Sequence, residues 1–270
     1  MSQLFSNSQR YLTAQELAQK AGQIIIHART NNDFTQEYKS HQELVTSTDK
    51  QVDEFLIHSL QQAFPEDQFL TEESYTPEHL ETLNLSNPTW VIDPIDGTVN
   101  FAHGHPQVAI SIAFVESDEV KFGIVHCPFL NETFYGIKGE GAYLNEQKIS
   151  INDCLQLSQA LIATGLPYDK SQIDSLLPNI SSVIQHARDI RRNGSAAIDL
   201  CWVACGRLHA YYETVQPWDM AAGRLIAKEA GAYCGHFGTQ KPTKLIPDLS
   251  SNQLLICSPG IQTALSNLLQ

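Results

Sequence analysis

From Val108 to Phe114 the chain reads VAISIAF, in which large apolar residues (Val108, Ile110, Ile112, Phe114) alternate with small ones (Ala109, Ser111, Ala113). A period of two marks a strand, because successive side chains of an extended backbone leave on opposite faces. Val120 to Val125 and Glu132 to Ile137 follow after short connections, as an antiparallel meander requires, and Gly139 and Gly141 punctuate before Tyr143. The first half of the chain is thereby committed to a sheet.

Helices flank it. Thr13 and Glu16 read as a capping box, and Leu17, Ala21, Ile24 and Ile25 continue at helical spacing, predicting a helix to about Thr30. The polar stretch Asn31 to Glu43 has no apolar period and reads as a mobile loop with room for a short extended piece before the next helix. A second helix carries Val52, Phe55, Leu56, Leu60 and Ala63 on one face and stops at Pro65. Gln68 to Thr71 and Thr89 to Asp93 are short candidate strands whose ends deliver carboxylates.

After about residue 150 strands and helices alternate. Strands are expected at Leu161 to Thr164, Asp189 to Arg191, His209 to Glu213, Ala232 to Gly235 and Gln253 to Cys257. Helices are expected near Ser175 to His186, from Ser195, from Trp218 to Ala230 and at the C-terminal end. Residues 1–150 therefore read as an α+β half and residues 151–270 as an α/β half. No repeat, low-complexity tract or Gly/Ser linker separates them, so the halves should share an interface.

Composition narrows the function. With 270 residues, 42% hydrophobic and 17% charged, the chain is that of an ordinary folded soluble protein. Thirty acids against 17 Lys and Arg give a net charge of −13, which argues against direct nucleic-acid binding. No basic n-region with an apolar run opens the chain, and no stretch approaches membrane-spanning length, so a cytoplasmic location is expected. The six cysteines form no CxxC, and Cys201 and Cys205 read as small buried hydrophobes.

The chemistry gathers in residues 90–101, WVIDPIDGTVNF. Asp93 and Asp96 bracket Pro94, which breaks a strand ladder, and Gly97 permits a tight turn. Both carboxylates and the Ile95 carbonyl can then converge, while Thr98 begins a helical turn. Glu72 and Glu73 end another short strand, and Asp219 opens a helix after Pro217 and Trp218. If Glu72, Asp93, Asp96 and Asp219 meet, they repel or protonate unless a hard divalent cation joins them, and an all-oxygen set favours Mg²⁺. The alternative is that these acids merely cap backbone amides.

WVIDPIDGTVNF and WDMAAGRLIAKEAGA together resemble the paired signatures of the inositol monophosphatase family, within the wider group that includes fructose-1,6-bisphosphatases. The similarity continues through LVTSTD at 44–49, EES at 72–74 and RRNGSAAIDLCWVACGRLHAYYE at 191–213, in the expected order. The resemblance implies a layered α-β-α-β-α sandwich, a homodimer, two to three Mg²⁺ per subunit and inhibition by Li⁺. It implies that Glu72, Asp93 and the Ile95 carbonyl hold one Mg²⁺, that Asp93, Asp96 and Asp219 hold a second, and that Glu72 touches a third. Asp49 and Thr98 match a pair that orients the attacking water, and Glu213, Gly194 and Ala196 match contacts to an inositol ring. Thr71 is a departure, standing where the family usually has Gly, and Lys39 falls about where the family has a mobile basic segment.

The expected reaction is hydrolysis of a small phosphorylated polyol, with inositol 1-phosphate favoured. Metal-activated water attacks in line, Thr98 accepts from that water and donates to Asp49, and Asp219 steers the proton to the leaving alkoxide. Amides of Gly97 and Thr98 would hold phosphoryl oxygens, and the small residues Gly194, Ser195 and Ala196 let a polyol approach the backbone. Rival substrates are histidinol phosphate, NADP, fructose bisphosphate and 3′-phosphoadenosine phosphates. Rival roles are an accessory protein of a transcription complex and a non-catalytic scaffold. His103 and His105 read as loop-packing residues, and Arg191 and Arg192 either grip a second phosphate or serve a dimer interface.

Overall fold

A computed structural model describes residues 8–38, 44–76, 82–167, 169–238 and 245–269. Two helices open the chain: α1 (Gln9–Asn31) and α2 (Ser47–Ala63). The first begins four residues before Thr13, because Ser8 is its N-cap and accepts from the Tyr11 amide. Between the helices, β1 (Gln36–Tyr38) pairs antiparallel with β2 (Leu44–Thr46), so the expected loop does hold an extended piece; Lys39 lies outside the described residues.

Seven strands form the larger sheet: β3 (Gln68–Thr71), β4 (Thr89–Asp96), β5 (Ala109–Glu116), β6 (Glu119–Cys127), β7 (Glu132–Ile137), β8 (Gly141–Leu144) and β9 (Gln147–Ile149), in that order across the sheet. Only β3 and β4 run parallel; the rest is the predicted meander. The short helix α3 (Thr98–His103) follows β4.

The second half contributes β10 (Leu161–Thr164), α4 (Ile173–His186), β11 (Asp189–Arg191), α5 (Ala196–Ala204), β12 (Ala210–Glu213), α6 (Pro217–Glu229), β13 (Tyr233–His236), β14 (Leu254–Cys257) and α7 (Gln262–Leu268). Its five-stranded sheet has the order β11-β10-β12-β14-β13 and is mixed, with β10 parallel to β11 and β12, and β14 antiparallel to its neighbours.

The alternation in β5 sets the layering. Its large residues Ile110, Ile112 and Phe114 enter one core with Leu17, Ile25, Leu56 and Leu60 of α1 and α2. Its small residues Ala109 and Ala113 face the opposite core, with Leu200 of α5, Ala222 and Ile226 of α6, and Tyr211 and Ile256 of the smaller sheet. A third core joins Ile162, Tyr212 and Leu255 on the far face of that sheet to Val183 of α4 and Leu265 of α7. The result is the expected α-β-α-β-α sandwich. Two glycines let α6 lie close on the larger sheet: a Cβ at Gly123 would stand 2.6 Å from the Ala222 Cα, and one at Gly136 would stand 2.9 Å from the Ile226 Cα.

Candidate active site

A pocket of about 210 Å³ opens where β4 and β12 end and α3, α5 and α6 begin. Its wall includes Glu72, Asp93, Ile95, Asp96, Gly97, Thr98 and Asp219 from the metal motif, and Gly194, Ser195, Ala196 and Glu213 from the substrate set. Of the predicted site residues only Asp49 is outside the wall, and it sits behind Thr98, whose hydroxyl donates to Asp49 Oδ1 at 2.8 Å.

The local sequence explains the convergence. The pairing of β4 with β5 shifts register between Asp93 and Asp96, where Pro94 offers no amide to the ladder. Asp93 Oδ1 accepts from the Ile95 amide at 3.0 Å, folding its carboxylate over the turn. Gly97 then takes φ 98°, and a Cβ there would meet the Gln107 carbonyl oxygen at 2.7 Å.

Asp49 and Asp219 occupy the same position, the third residue of a helix, in capping boxes. Asp49 Oδ2 accepts from the Thr46 amide and Asp219 Oδ2 from the Gln216 amide, each at 2.8 Å. Capping and chemistry are therefore not alternatives for Asp219. One oxygen closes the helix end, which fixes the rotamer, and the carboxyl also hydrogen-bonds Asp93.

Asp96 is tied across 99 residues to the start of α5. Its Oδ2 accepts from the Ser195 hydroxyl and, across 101 residues, from the Ala197 amide, both at 2.6 Å. Ser195, buried, also accepts from the Ile198 amide as N-cap, so its hydroxyl serves Asp96 and the helix together. Replacing it with Ala should cost about 0.5–2 kcal/mol of stability in urea unfolding, the range for a lost N-cap. An unchanged midpoint would remove this reading of Ser195.

Electrostatically the site is under pressure. Burial, then the charges of Glu72, Asp96 and Asp219, push Asp93 well above the usual carboxylate range. Burial does the same to Asp219, reinforced by Asp96 and Glu72. Asp96 is pushed by burial up to about 6 against the pull of Ser195 and the α5 amides, and Asp49 to about 6 against Thr46 and Thr98. Among the described residues no three such side chains already form a closed ion site. Asp93 and Asp219 instead hydrogen-bond to each other, which needs a proton between them. The donor set still fits a hard cation: all-oxygen, buried, mutually repelling, and relieved by positive charge.

Thr71, the departure from the family pattern, ends β3 without positive φ. Its hydroxyl donates to Asp53 at 3.3 Å and accepts from the Ser74 amide at 3.3 Å, so the turn carrying Glu72 is braced by a side chain that Gly lacks.

On the substrate side, Glu213 accepts from the Tyr211 hydroxyl and the Gly165 amide, and burial pushes it up to about 7. Sequence reading did not find Gly165 or Asp199, and it offered Arg192 for phosphate gripping or a dimer interface alike. A Cβ on Gly165 would lie 2.0 Å from the Glu213 carboxylate oxygens. Among the described residues Arg192 is the one cation in the pocket wall, whereas Arg191 pairs with Asp189 at 2.6 Å. Asp199 accepts from Asn193 at 2.6 Å, and Asn100 donates to the Gln107 and Asn193 carbonyls at 2.8 Å, clamping the two halves of the rim. The spacing of Asp199 from Ser195, one turn along a helix, was the available signal. His103 and His105 are exposed and outside the wall.

The chain is similar to known proteins over nearly its whole length. "Inositol monophosphatase 3" of Solanum lycopersicum is 40% identical over 238 residues, 86% of this chain and 88% of that protein. "Nus factor SuhB" of Pasteurella multocida is 35% identical over 256 residues, 94% of this chain and 92% of that protein. The crystal structure of the extragenic suppressor protein suhB of Bartonella henselae superposes with a TM-score of 0.86 at 27% identity, covering 97% of this chain and 99% of that one. The model of the inositol monophosphatase family matches residues 6–269, nearly end to end. By motif, by layer order and by these likenesses, the chain belongs to the inositol monophosphatase family.

Proposed function

We propose that this protein is a Mg²⁺-dependent phosphate monoesterase that hydrolyses inositol 1-phosphate to inositol and phosphate. The observation that carries the reading is the meeting, in one pocket, of Glu72, Asp93, Asp96 and Asp219 with the Thr98–Asp49 pair behind them. Bound by these carboxylates and the Ile95 carbonyl, Mg²⁺ would polarise the phosphoryl oxygens and acidify a bound water.

The protein's own groups do the positioning. Thr98 is too weak an acid to ionise. With its proton directed to Asp49 at 2.8 Å, its lone pairs are left to accept from the attacking water. Asp49 is buried among donors, and its raised pKa suits it to take up the proton that Thr98 relays. Asp219, fixed by its helix cap, guides a proton toward the leaving alkoxide. Gly97, Thr98, Gly194, Ala196 and Glu213 all line the pocket, so amides of the first two would hold the phosphoryl group and the other three would receive the polyol. No phosphoenzyme is needed.

Phosphate release from inositol 1-phosphate should require Mg²⁺, stop with EDTA and fall in high Li⁺. In H₂¹⁸O a single turnover should place one ¹⁸O in the phosphate. A trapped phosphorylated side chain, or equal activity without divalent cation, would overturn the mechanism. A homodimer in the cytoplasm is the proposed working form. A second reading, a binding role in a transcription complex, draws on the Pasteurella relative's name. With a net charge of −13 such a role would run through protein partners rather than RNA, which a pull-down probed for polymerase subunits tests.

A further inference from the structure

Glu72 and Asp93 leave the larger sheet side by side. In the parallel register of β3 and β4, Thr71 stands opposite Ile92, and the Glu72 amide donates to the Ile92 carbonyl at 3.2 Å, so the next residue on each strand is a carboxylate of the site. Helix α2 is seated across both strand ends by two buried acids one turn apart. Asp49 accepts from the Thr98 hydroxyl at 2.8 Å, and Asp53 accepts from the Thr71 hydroxyl at 3.3 Å. The first of these pairs belongs to the proposed mechanism, whereas the second has no part in it.

The turn that carries Glu72 is held from several sides. Thr71 Oγ1 accepts from the Ser74 amide at 3.3 Å while it donates to Asp53 Oδ2, and the Ser74 hydroxyl donates to that same oxygen at 3.0 Å. One residue on, the Tyr75 ring packs against Trp218 with centroids 5.1 Å apart, and Trp218 immediately precedes Asp219. Residues 71–75 therefore touch the three segments that bear Asp49, Asp93 and Asp219.

We propose that Thr71, Asp53 and Ser74 are positioning residues for Glu72, whose turn they hold in the arrangement that receives Mg²⁺. The inference rests on the cation reading above. With the turn fixed by hydrogen bonds to α2, its ordering entropy is lost on folding rather than on ion binding, which tightens the site. Supporting partners of this kind change metal affinity by about 10- to 100-fold. The hydroxyl that distinguishes Thr71 from the family's usual Gly thus acts on the ion through Glu72, without touching it.

The test is Mn²⁺ binding to the full-length protein, with Mn²⁺ standing in for Mg²⁺ at an all-oxygen site. Loss of the free-ion electron paramagnetic resonance signal reads it and needs no turnover. Thr71→Val keeps the shape and removes the hydroxyl, Thr71→Ser keeps the hydroxyl, and Ser74→Ala removes the second hydroxyl donor to Asp53 from an exposed position. Thr71→Val should weaken Mn²⁺ binding about tenfold and raise the Mg²⁺ needed for half-maximal phosphate release in parallel, with kcat at saturating Mg²⁺ within about twofold of wild type. Thr71→Ser should match wild type, Ser74→Ala should fall between, and Thr71→Gly should bind no better than Thr71→Val, because Asp53 loses the same donor. A lower melting temperature with unchanged Mn²⁺ affinity, in Thr71→Val or, where that variant does not fold, in Ser74→Ala, marks a purely structural brace and overturns the proposal. So does a Thr71→Ser protein as weak as Thr71→Val. A wild-type protein that binds no Mn²⁺ overturns the cation reading instead.

Discussion

Asp93→Asn should lower phosphate release by about 10³-fold or more, roughly 4 kcal/mol of barrier, and raise the melting temperature of the metal-free protein. Both follow from one fact. Asp93 is 1% exposed and faces Glu72, Asp96 and Asp219, so its charge is costly until a cation joins it. Asn keeps the shape and one oxygen while removing a negative charge. It weakens the ion site and relieves the repulsion, with about 2–4 °C expected for each kcal/mol relieved. Wild type should also gain more from saturating Mg²⁺, about 2.7 kcal/mol at a hundred times Kd, than the variant does. Thermal unfolding with and without Mg²⁺, beside a phosphate-release assay, reads all three. Substantial turnover by Asp93→Asn, or a lower melting point for it without metal, would refute the account of the acid cluster.

Gly123→Ala should be the second large effect, although Gly123 lies outside the pocket wall. The added methyl would stand 2.6 Å from the Ala222 Cα and 2.8 Å from its carbonyl oxygen, and backbone cannot swing aside as a side chain can. Overpacking of this kind costs about 1–3 kcal/mol. The direction of the displacement matters more than its cost. Ala222 is one turn along α6 from Asp219, so lifting the helix off the sheet withdraws a carboxylate from the site. Activity should fall tenfold or more in protein that remains folded by circular dichroism. A stability loss with full kcat would mean that α6 re-seats without moving its first turn.

Much of this was legible in the chain. Strict alternation in residues 108–114 foretold both the strand and its two unlike faces, because a sheet packed between helix layers must serve two cores at once. Asp93, Pro94, Asp96 and Gly97 foretold the register shift in β4, since proline removes a ladder donor wherever it stands, although the strand runs on to Asp96 rather than ending at Asp93. What escaped reading depends on contacts between distant segments. The start of α1 was misplaced because Thr13 and Glu16 mimic a cap that Ser8 supplies. Gly123 and Gly136 look like ordinary strand residues until α6 is laid across them. The clamp from Asn100 to Asn193 spans 93 residues, and no local pattern announces it.

That Asp96 is held by Ser195 and Ala197, and Asp93 by a carboxyl from the next helix, has a bearing on how the molecule is made. The pocket wall draws on residues from both stretches of the chain. During refolding the meander and its two flanking helices can consolidate from near neighbours, whereas closing loops of about a hundred residues is slow. Catalytic competence should therefore be the last property regained, lagging behind the recovery of helical signal.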